Sequence, residues 1–487
     1  MSPLSDSIGG IRPTAKQLFK HAVVWSMLVN SLALESPVSA QVPLQRTATV
    51  QRTANQQGVE SLPPLSSSLN NPVITQVPIA PLPEATPAPQ PSRSGMPVGN
   101  GMTVADFENL ALANNPSLAE SIARINAARG RWEQVGLPPN PYAGYSDQQL
   151  GSPSVEQRGV VFGQEFIAGK KLQLNRAVAS QEVQRAQQEL AAQQMRVLTD
   201  VRIAYFTALA AQRRSILAKE IGDSTNNSVL ITQKRLDAKE IGKSDLLQAR
   251  IEFETAQVLL RRSQYQYQEA WRRLAAVTGI STLEPQPLLG TLSENIPDYQ
   301  WEPTLNRLLS ASPEIAAAQA EIQRTRWAYQ RAQAEKKSNL TMQGIVQDDR
   351  SVDATNGALQ LTMPIPIWNR NQGGITQAGH EALAAARALE KLELDLQQRL
   401  ATVFQRYQTA RAQVERYSQA IVPDSRENLG LVRKAYSAGE YDYVQMLLAQ
   451  RIFTQTELAY VEALQDMHVA ALEIEGLLLS NSLQAGK

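Results

Sequence analysis

Three short stretches of this sequence carry residue types that can do chemistry. Gly242-Lys243-Ser244 has the ending of a phosphate-cradling loop, His380-Glu381 begins as a zinc-binding helix does, and Asp348, Asp349 and Asp353 put three carboxylates close together. A phosphate loop also needs a glycine five residues before Gly242, but that position is Asp237, and the context is a helical break rather than a strand-to-helix turn. A zinc helix needs a second histidine at position 384, which is Ala384. His21 falls in the N-terminal signal-like segment and His468 stands alone on a helix face, so the three histidines form no ligand set. The aspartates fit a cation loop or, more simply, a solvated polar loop. No nucleophile, base and orienting group assemble, and the sequence reads as that of a non-enzyme with no cofactor and no resident metal.

Composition narrows the class further. With 47 Lys+Arg against 46 Asp+Glu, the net charge of +1 lacks the basic footprint of a nucleic-acid partner. The absence of cysteine excludes disulfide scaffolds, thiolate metal sites, thiol nucleophiles and a lipid-modified N-terminal cysteine. Arg12, Lys16 and Lys20 precede an apolar run from Ala22 to Leu34, and Val38-Ser39-Ala40 follows, which predicts a secretory signal over residues 1–40. Residues 41–100 hold 11 of the 27 prolines and only five charged residues, a mixture expected to form a disordered Pro/Gln/Ser-rich linker. No other stretch is apolar enough for a membrane helix, so entry into a membrane would require a closed β-barrel.

The elements that follow are a long-helix unit present twice. Between Pro153 and Pro285 no proline interrupts, and from Gln377 onward the sole proline is Pro423. Lys234 to Arg250 and Lys434 to Gln450 match at an offset of 200 residues, each with a break, Ala238 to Gly242 and Ala438 to Asp442. Helices are expected from about Lys171 to Ala238 and from about Ile375 to Ala438, each on the order of 100 Å long at 1.5 Å per residue. The returning helices carry heptads of large residues (Leu246, Phe253, Leu260, Tyr267; Met446, Phe453, Tyr460, Met467) alternating with mostly small ones (Ala249, Ala256, Ser263, Ala270; Ala449, Thr456, Ala463, Ala470). A simple antiparallel coiled coil and a curved helical wall both suit this pattern.

Before each long helix lie two strand-like segments, Asn140 to Gln149 with Glu156 to Ile167, and Asn339 to Gln347 with Gly357 to Ile367. Val160, Phe162 and Phe166 share one face, and Leu359, Leu361, Met363 and Ile365 alternate with polar neighbours. Strands of about 9 to 11 residues are long enough to cross a bilayer when tilted. A small soluble hairpin beside a bundle is the alternative, and four strands cannot close a membrane barrel without other chains.

With these residues in view the chain resembles outer-membrane efflux proteins of the TolC-like family over residues 103–483. The internal duplication carries the resemblance, together with two tip segments, Arg235 to Ala249 and Ala435 to Glu440 followed by Leu447 to Gln450. The third feature, Pro364-Ile365-Pro366-Ile367-Trp368-Asn369-Arg370-Asn371-Gln372-Gly373, is similar to the strand-to-helix junction of the branch serving cobalt, zinc and cadmium exporters.

The resemblance implies repeats at 103–280 (hairpin about 140–167, tip about 236–245) and 304–483 (hairpin about 339–367, tip about 436–445), joined by an equatorial connection at 281–303. It implies a mainly α fold with a membrane β-barrel: a homotrimer whose twelve-stranded barrel in outer-membrane lipid continues as a twelve-helix α-barrel through the periplasm. The loops at Gln149 to Val155 and Asp348 to Asn356 would face outside. It further implies docking of a periplasmic adaptor at Leu236, Ala238, Lys239, Ile241, Gly242, Tyr436, Ala438, Gly439, Glu440 and Tyr441. Family members narrow the tip with acidic residues where this chain has Gln445 and Leu448, so the gate candidates are Asp245, Asp442 and Gln445. The implied function is the exit duct of a tripartite efflux system, driven by a proton-coupled inner-membrane pump and exporting heavy-metal cations. A duct for drugs or secreted polypeptides is the alternative of the same architecture, and a periplasmic coiled-coil scaffold without a pore is the alternative of another class.

Overall fold

The computed structural model describes residues 101–148, 157–293, 298–350 and 353–484. The expected signal, the linker and the loop from Gln149 to Val155 lie outside the described residues. The elements in order are α1 (Val104–Asn114), α2 (Pro116–Gln134), β1 (Tyr142–Gln148), β2 (Gln157–Phe166), α3 (Lys171–Asp237), α4 (Lys243–Thr278), α5 (Trp301–Ala311) and α6 (Pro313–Ala334). Then come β3 (Leu340–Asp349), β4 (Ala354–Thr362), α7 (Gln372–Arg416), a π-helical turn (Tyr417–Ile421), α8 (Val422–Ala438) and α9 (Tyr443–Glu475).

The helix α3 runs unbroken for 67 residues. Its counterpart differs from the single helix expected from Ile375 to Ala438, because the π-turn separates α7 from α8. Pro423 is the physical reason: it donates no N–H and its ring clashes with the carbonyl four residues back, so the wider turn before it relieves the strain.

The helices pack in two levels. Beside the sheet the order is α2, α3, α6, α7, and toward the breaks it is α4, α3, α9, α8. On α4 the small residues Ala249, Ala256, Ser263 and Ala270 are buried seven apart, while Phe253, Leu260 and Tyr267 are half-buried. Small side chains at the seam let neighbouring backbones come close. Between the levels lies the largest apolar core, including Phe107, Tyr205, Trp271, Leu396, Leu400 and Tyr407. There Trp271 Nε1 donates to the Leu283 carbonyl at 2.8 Å and its ring meets Phe107 edge-on at 5.8 Å. His468 stacks on Phe206 at 4.4 Å with its Nε2 2.7 Å from the Leu292 carbonyl oxygen. Burial pushes its pKa down despite that carbonyl, so it is a neutral packing residue.

The four strands form one antiparallel sheet in the order β1-β2-β3-β4. The central pair joins the two repeats, with Val160 opposite Val346 and Phe162 opposite Gly344. β4 ends at Thr362, short of the Ile367 expected from alternation. Pro364 and Pro366 offer no N–H to a ladder, so the apolar period continues past the last hydrogen-bonded residue.

Truncating Trp271 removes a fully buried ring and a buried hydrogen bond. Trp271→Ala is expected to destabilise the core by about 3–5 kcal/mol, read as a lower denaturation midpoint, with Leu112→Ala, at an exposed position, changing it little.

Candidate functional site: helix tips, junction and exposed sheet

The two breaks fold alike. α3 ends with Lys239 N–H donating to Leu236 O at 2.8 Å and Glu240 N–H to Arg235 O at 2.9 Å. α8 ends with Gly439 to Tyr436 at 3.1 Å and Glu440 to Ala435 at 3.0 Å. Both are Schellman closures, which need a left-handed residue after the helix. Gly439 provides it at φ 79°, but the first copy forces Lys239 to φ 63°. Entry into the returning helices also differs. Asp442 caps α9, accepting from Gln445 N–H at 2.9 Å while Gln445 Oε1 accepts from Asp442 N–H at 3.3 Å. Gly242 opens α4 with no side-chain cap.

This geometry sorts the residues expected at the tip. Ala238, Lys239, Gly242, Ala438, Gly439, Glu440 and Tyr441 are exposed, and Leu236 and Ile241 are half-buried. Tyr436 is a correction: at 2% exposure it is a packing residue that offers a partner no surface. Its ring lies 6.0 Å from that of Tyr443, and its hydroxyl is 3.2 Å from Thr232 Oγ1. Among the gate candidates, Asp442 and Gln445 are occupied with each other as a capping box, whereas Asp245 stands half-buried in the first turn of α4.

Sequence reasoning missed the residues that tie one tip to the other. The Arg235 guanidinium covers the Tyr436 ring at 4.9 Å, donates to the Tyr436 carbonyl at 3.2 Å and pairs with Glu240 at 3.1 Å. Arg451 on α9 holds Glu252 on α4 at 2.8 Å. Burial first, then Glu252, Tyr436 and Asp245, outweigh Arg451 and raise the Tyr443 hydroxyl to about 12. Only the offset of about 200 residues hinted that these partners meet.

At the junction, Asn371 starts α7 in the left-handed conformation, as Lys170 does for α3. Asn371 N–H donates to Asn369 Oδ1 at 3.0 Å, and its Nδ2 reaches the Ala332 carbonyl on α6 at 2.9 Å. Gln372 Nε2 donates to Trp368 O at 2.8 Å and Arg370 Nε to Pro366 O at 3.3 Å. Pro364, Pro366 and Gly373 are exposed, and no Cβ at Gly373 would meet a neighbour. Behind them the buried Lys171 Nζ donates to Asn339 Oδ1 at 2.9 Å and pairs with Glu335 at 3.4 Å.

The sheet presents two chemistries. One face carries Val160, Phe162, Phe166, Met342, Val346, Leu359 and Leu361, all exposed. The opposite face carries Gln157, Gln343, Gln347, Gln360 and Thr341. Asp348 and Asp349 belong to β3 rather than to the loop, and Asp349 accepts from Gln157 Nε2 at 2.8 Å. Among the described residues no group of three His, Cys, Asp or Glu could hold a metal ion, and no helix is long and apolar enough to cross a membrane.

The chain is thus a duplicated long-helix unit whose two copies share one four-stranded sheet with an exposed apolar face. The sequence profile of the Outer membrane efflux protein family matches residues 108–280 and 304–478, most of the chain, and the protein belongs to that family. It is 23% identical over 373 residues to the cobalt-zinc-cadmium resistance protein CzcC of Cupriavidus metallidurans, covering 76% of this chain and 88% of that one. It is 24% identical over 305 residues to the nickel and cobalt resistance protein CnrC of the same organism, covering 59% and 69%. Its fold is similar to the crystal structure of CusC, described with transmembrane channel formation, at a TM-score of 0.66 and 17% identity over 78% of this chain and 92% of that one.

Two outcomes follow at the tips. Lys239→Gly removes a left-handed lysine and is expected to stabilise the first tip by about 1 kcal/mol, while Gly439→Ala costs the second a similar amount. Amide hydrogen exchange at Glu240 and Glu440 reads both. The raised Tyr443 pKa implies stability that is complete below pH about 10 and is lost as pH rises toward about 12, because the unfolded chain gives up that proton first. Tyr443→Phe should flatten the alkaline loss of tip protection over that window, and an unchanged alkaline profile would exclude this origin.

Proposed function

We propose that the chain is the outer-membrane exit duct of a tripartite efflux system, exported by its N-terminal signal and assembled as a homotrimer. Three four-stranded sheets close a twelve-stranded barrel, and the two levels of four helices continue it as a twelve-helix tube. The observation that carries this reading is the sheet: its apolar face is exposed, its other face is largely polar, and among the described residues β1 and β4 each keep an outer edge unpaired. A barrel closed by neighbouring chains gives the apolar face lipid and pairs every edge.

The tips at 236–245 and 436–445 are the proposed surface for a periplasmic adaptor, reduced by the burial of Tyr436 to the residues that project. The duct is passive. Energy comes from a proton-driven inner-membrane pump, and the adaptor opens the tip by shifting helix packing. Asp245 is the gate candidate whose carboxylate has no cap to make. The names of CzcC and CnrC support heavy-metal cations as the exported class.

Reconstitution into planar bilayers tests this. Discrete single-channel conductance from an outer-membrane-extracted trimer is expected, with cation block of the closed channel weakened in Asp245→Asn. A protein that fractionates as a soluble monomer and conducts nothing would overturn the duct, and unchanged block in the variant would remove Asp245 from the gate.

A further inference from the structure

The ends of the sheet differ in charge in a way that the duct does not require. At the loop end Asp147, Asp348, Asp349 and Asp353 outnumber Arg158 and Arg350 among the described residues. At the helix end the balance reverses. The windows 130–141, 165–176, 331–341 and 363–377, where α2, α3, α6 and α7 meet the strands, hold eight Lys or Arg against three Glu.

Ion pairing leaves much of that charge unanswered. Lys171 and Arg331 share Glu335, and Arg131 pairs with Glu182. Lys170, Arg176, Lys336, Lys337 and Arg370 are all exposed, and among the described residues none has a carboxylate within ion-pair distance. Arg176 instead lies over the Trp132 ring at 5.3 Å, and the Lys337 stem packs beside Gly169, adjacent to Lys170. Next to these cations the chain exposes Ile365 at 76% and Trp368 at 85%.

The depth is right for a membrane surface. Ten residues of β3 extend about 34 Å, and at a tilt of about 40° they stand about 26 Å tall, close to the apolar band of a membrane barrel. Lys337 lies three residues before β3 and Lys170 four residues after β2, so both fall just past the hydrocarbon. A tryptophan with a ring of lysines at that level is the chemistry of the lipid–water interface.

We infer that this collar binds the phosphate headgroups of anionic phospholipids in the leaflet on the helix side of the sheet, with Trp368 and Ile365 against the glycerol and upper acyl chains. The inference rests on the barrel reading above. It adds a lipid class and a leaflet: three chains present fifteen unpaired cations around one circumference, so the trimer selects anionic lipid as its boundary there.

Electron spin resonance of the full-length trimer in vesicles, with spin-labelled phosphatidylglycerol or phosphatidylcholine as the probe, measures the selectivity. Phosphatidylglycerol is expected to associate several-fold more strongly, on the order of fivefold, with most of the preference screened at about 0.5 M salt. The triple variant Lys170→Gln, Lys336→Gln, Lys337→Gln should bring the ratio close to one. Equal association in the unaltered protein, or full selectivity in the triple variant, overturns the inference. Conductance recorded in pure phosphatidylcholine separates the two readings: channels without lipid selectivity defeat only the collar, whereas no channels in any lipid defeat the barrel and the collar together.

Discussion

The outer edges of β1 and β4 each present a row of backbone N–H and C=O groups that no other strand satisfies among the described residues. In water such edges invite uncontrolled strand pairing, and in hydrocarbon each unsatisfied group costs several kcal/mol. The exposed apolar face compounds the problem, since a patch built from Phe162, Val346, Leu359 and Leu361 stays uncovered among the described residues. On the proposed barrel, closure by other copies would resolve both at once. The helical half would then share the symmetry of the sheet, because the β2–β3 ladder fixes α3 beside α6.

Duplication brings two similar units to that ladder without making them equal. Tyr205 stands 34 residues before Lys239, but Tyr407 only 32 before Gly439. Two missing residues would rotate the second tip by about 200° relative to the first. The π-turn absorbs one residue more, and a deficit of three is about 300°, within roughly a sixth of a turn of register. The tips differ as well. The second has a glycine for its left-handed position and a full capping box, whereas the first has a lysine and an uncapped start, and it leans on the second through Arg235. Local opening should therefore begin at the first tip.

Much of this was legible because it is periodic. Helix extents, both breaks and the alternation of the strands follow from the spacing of apolar residues and the positions of proline and glycine. What was not legible depends on contacts across about 200 residues: the pairing of Val160 with Val346, Arg235 reaching the Tyr436 carbonyl, Glu252 meeting Arg451. Tyr436 illustrates the limit, since an aromatic beside an exposed break reads equally as a contact surface or as the plug beneath it. Asp442 and Gln445 illustrate a different one. Their spacing is a capping signature, and the same carboxylate and amide read equally as a polar constriction until the backbone geometry shows them bonded to each other's N–H.

The polar face of the sheet bears on selectivity. On the barrel reading it lines the lumen, where the amides of Gln157, Gln343, Gln347 and Gln360 stand among Thr341, Thr362, Glu165 and a few apolar residues such as Val161 and Ile345. Amides hydrogen-bond a hydrated ion weakly and hold it nowhere, which favours passage over capture. The carboxylate at the loop end that could bind more tightly, Asp349, is already committed to Gln157. On that reading the strand region offers a passing solute weak polar contacts spread along its length rather than one tight site, which suits a conduit.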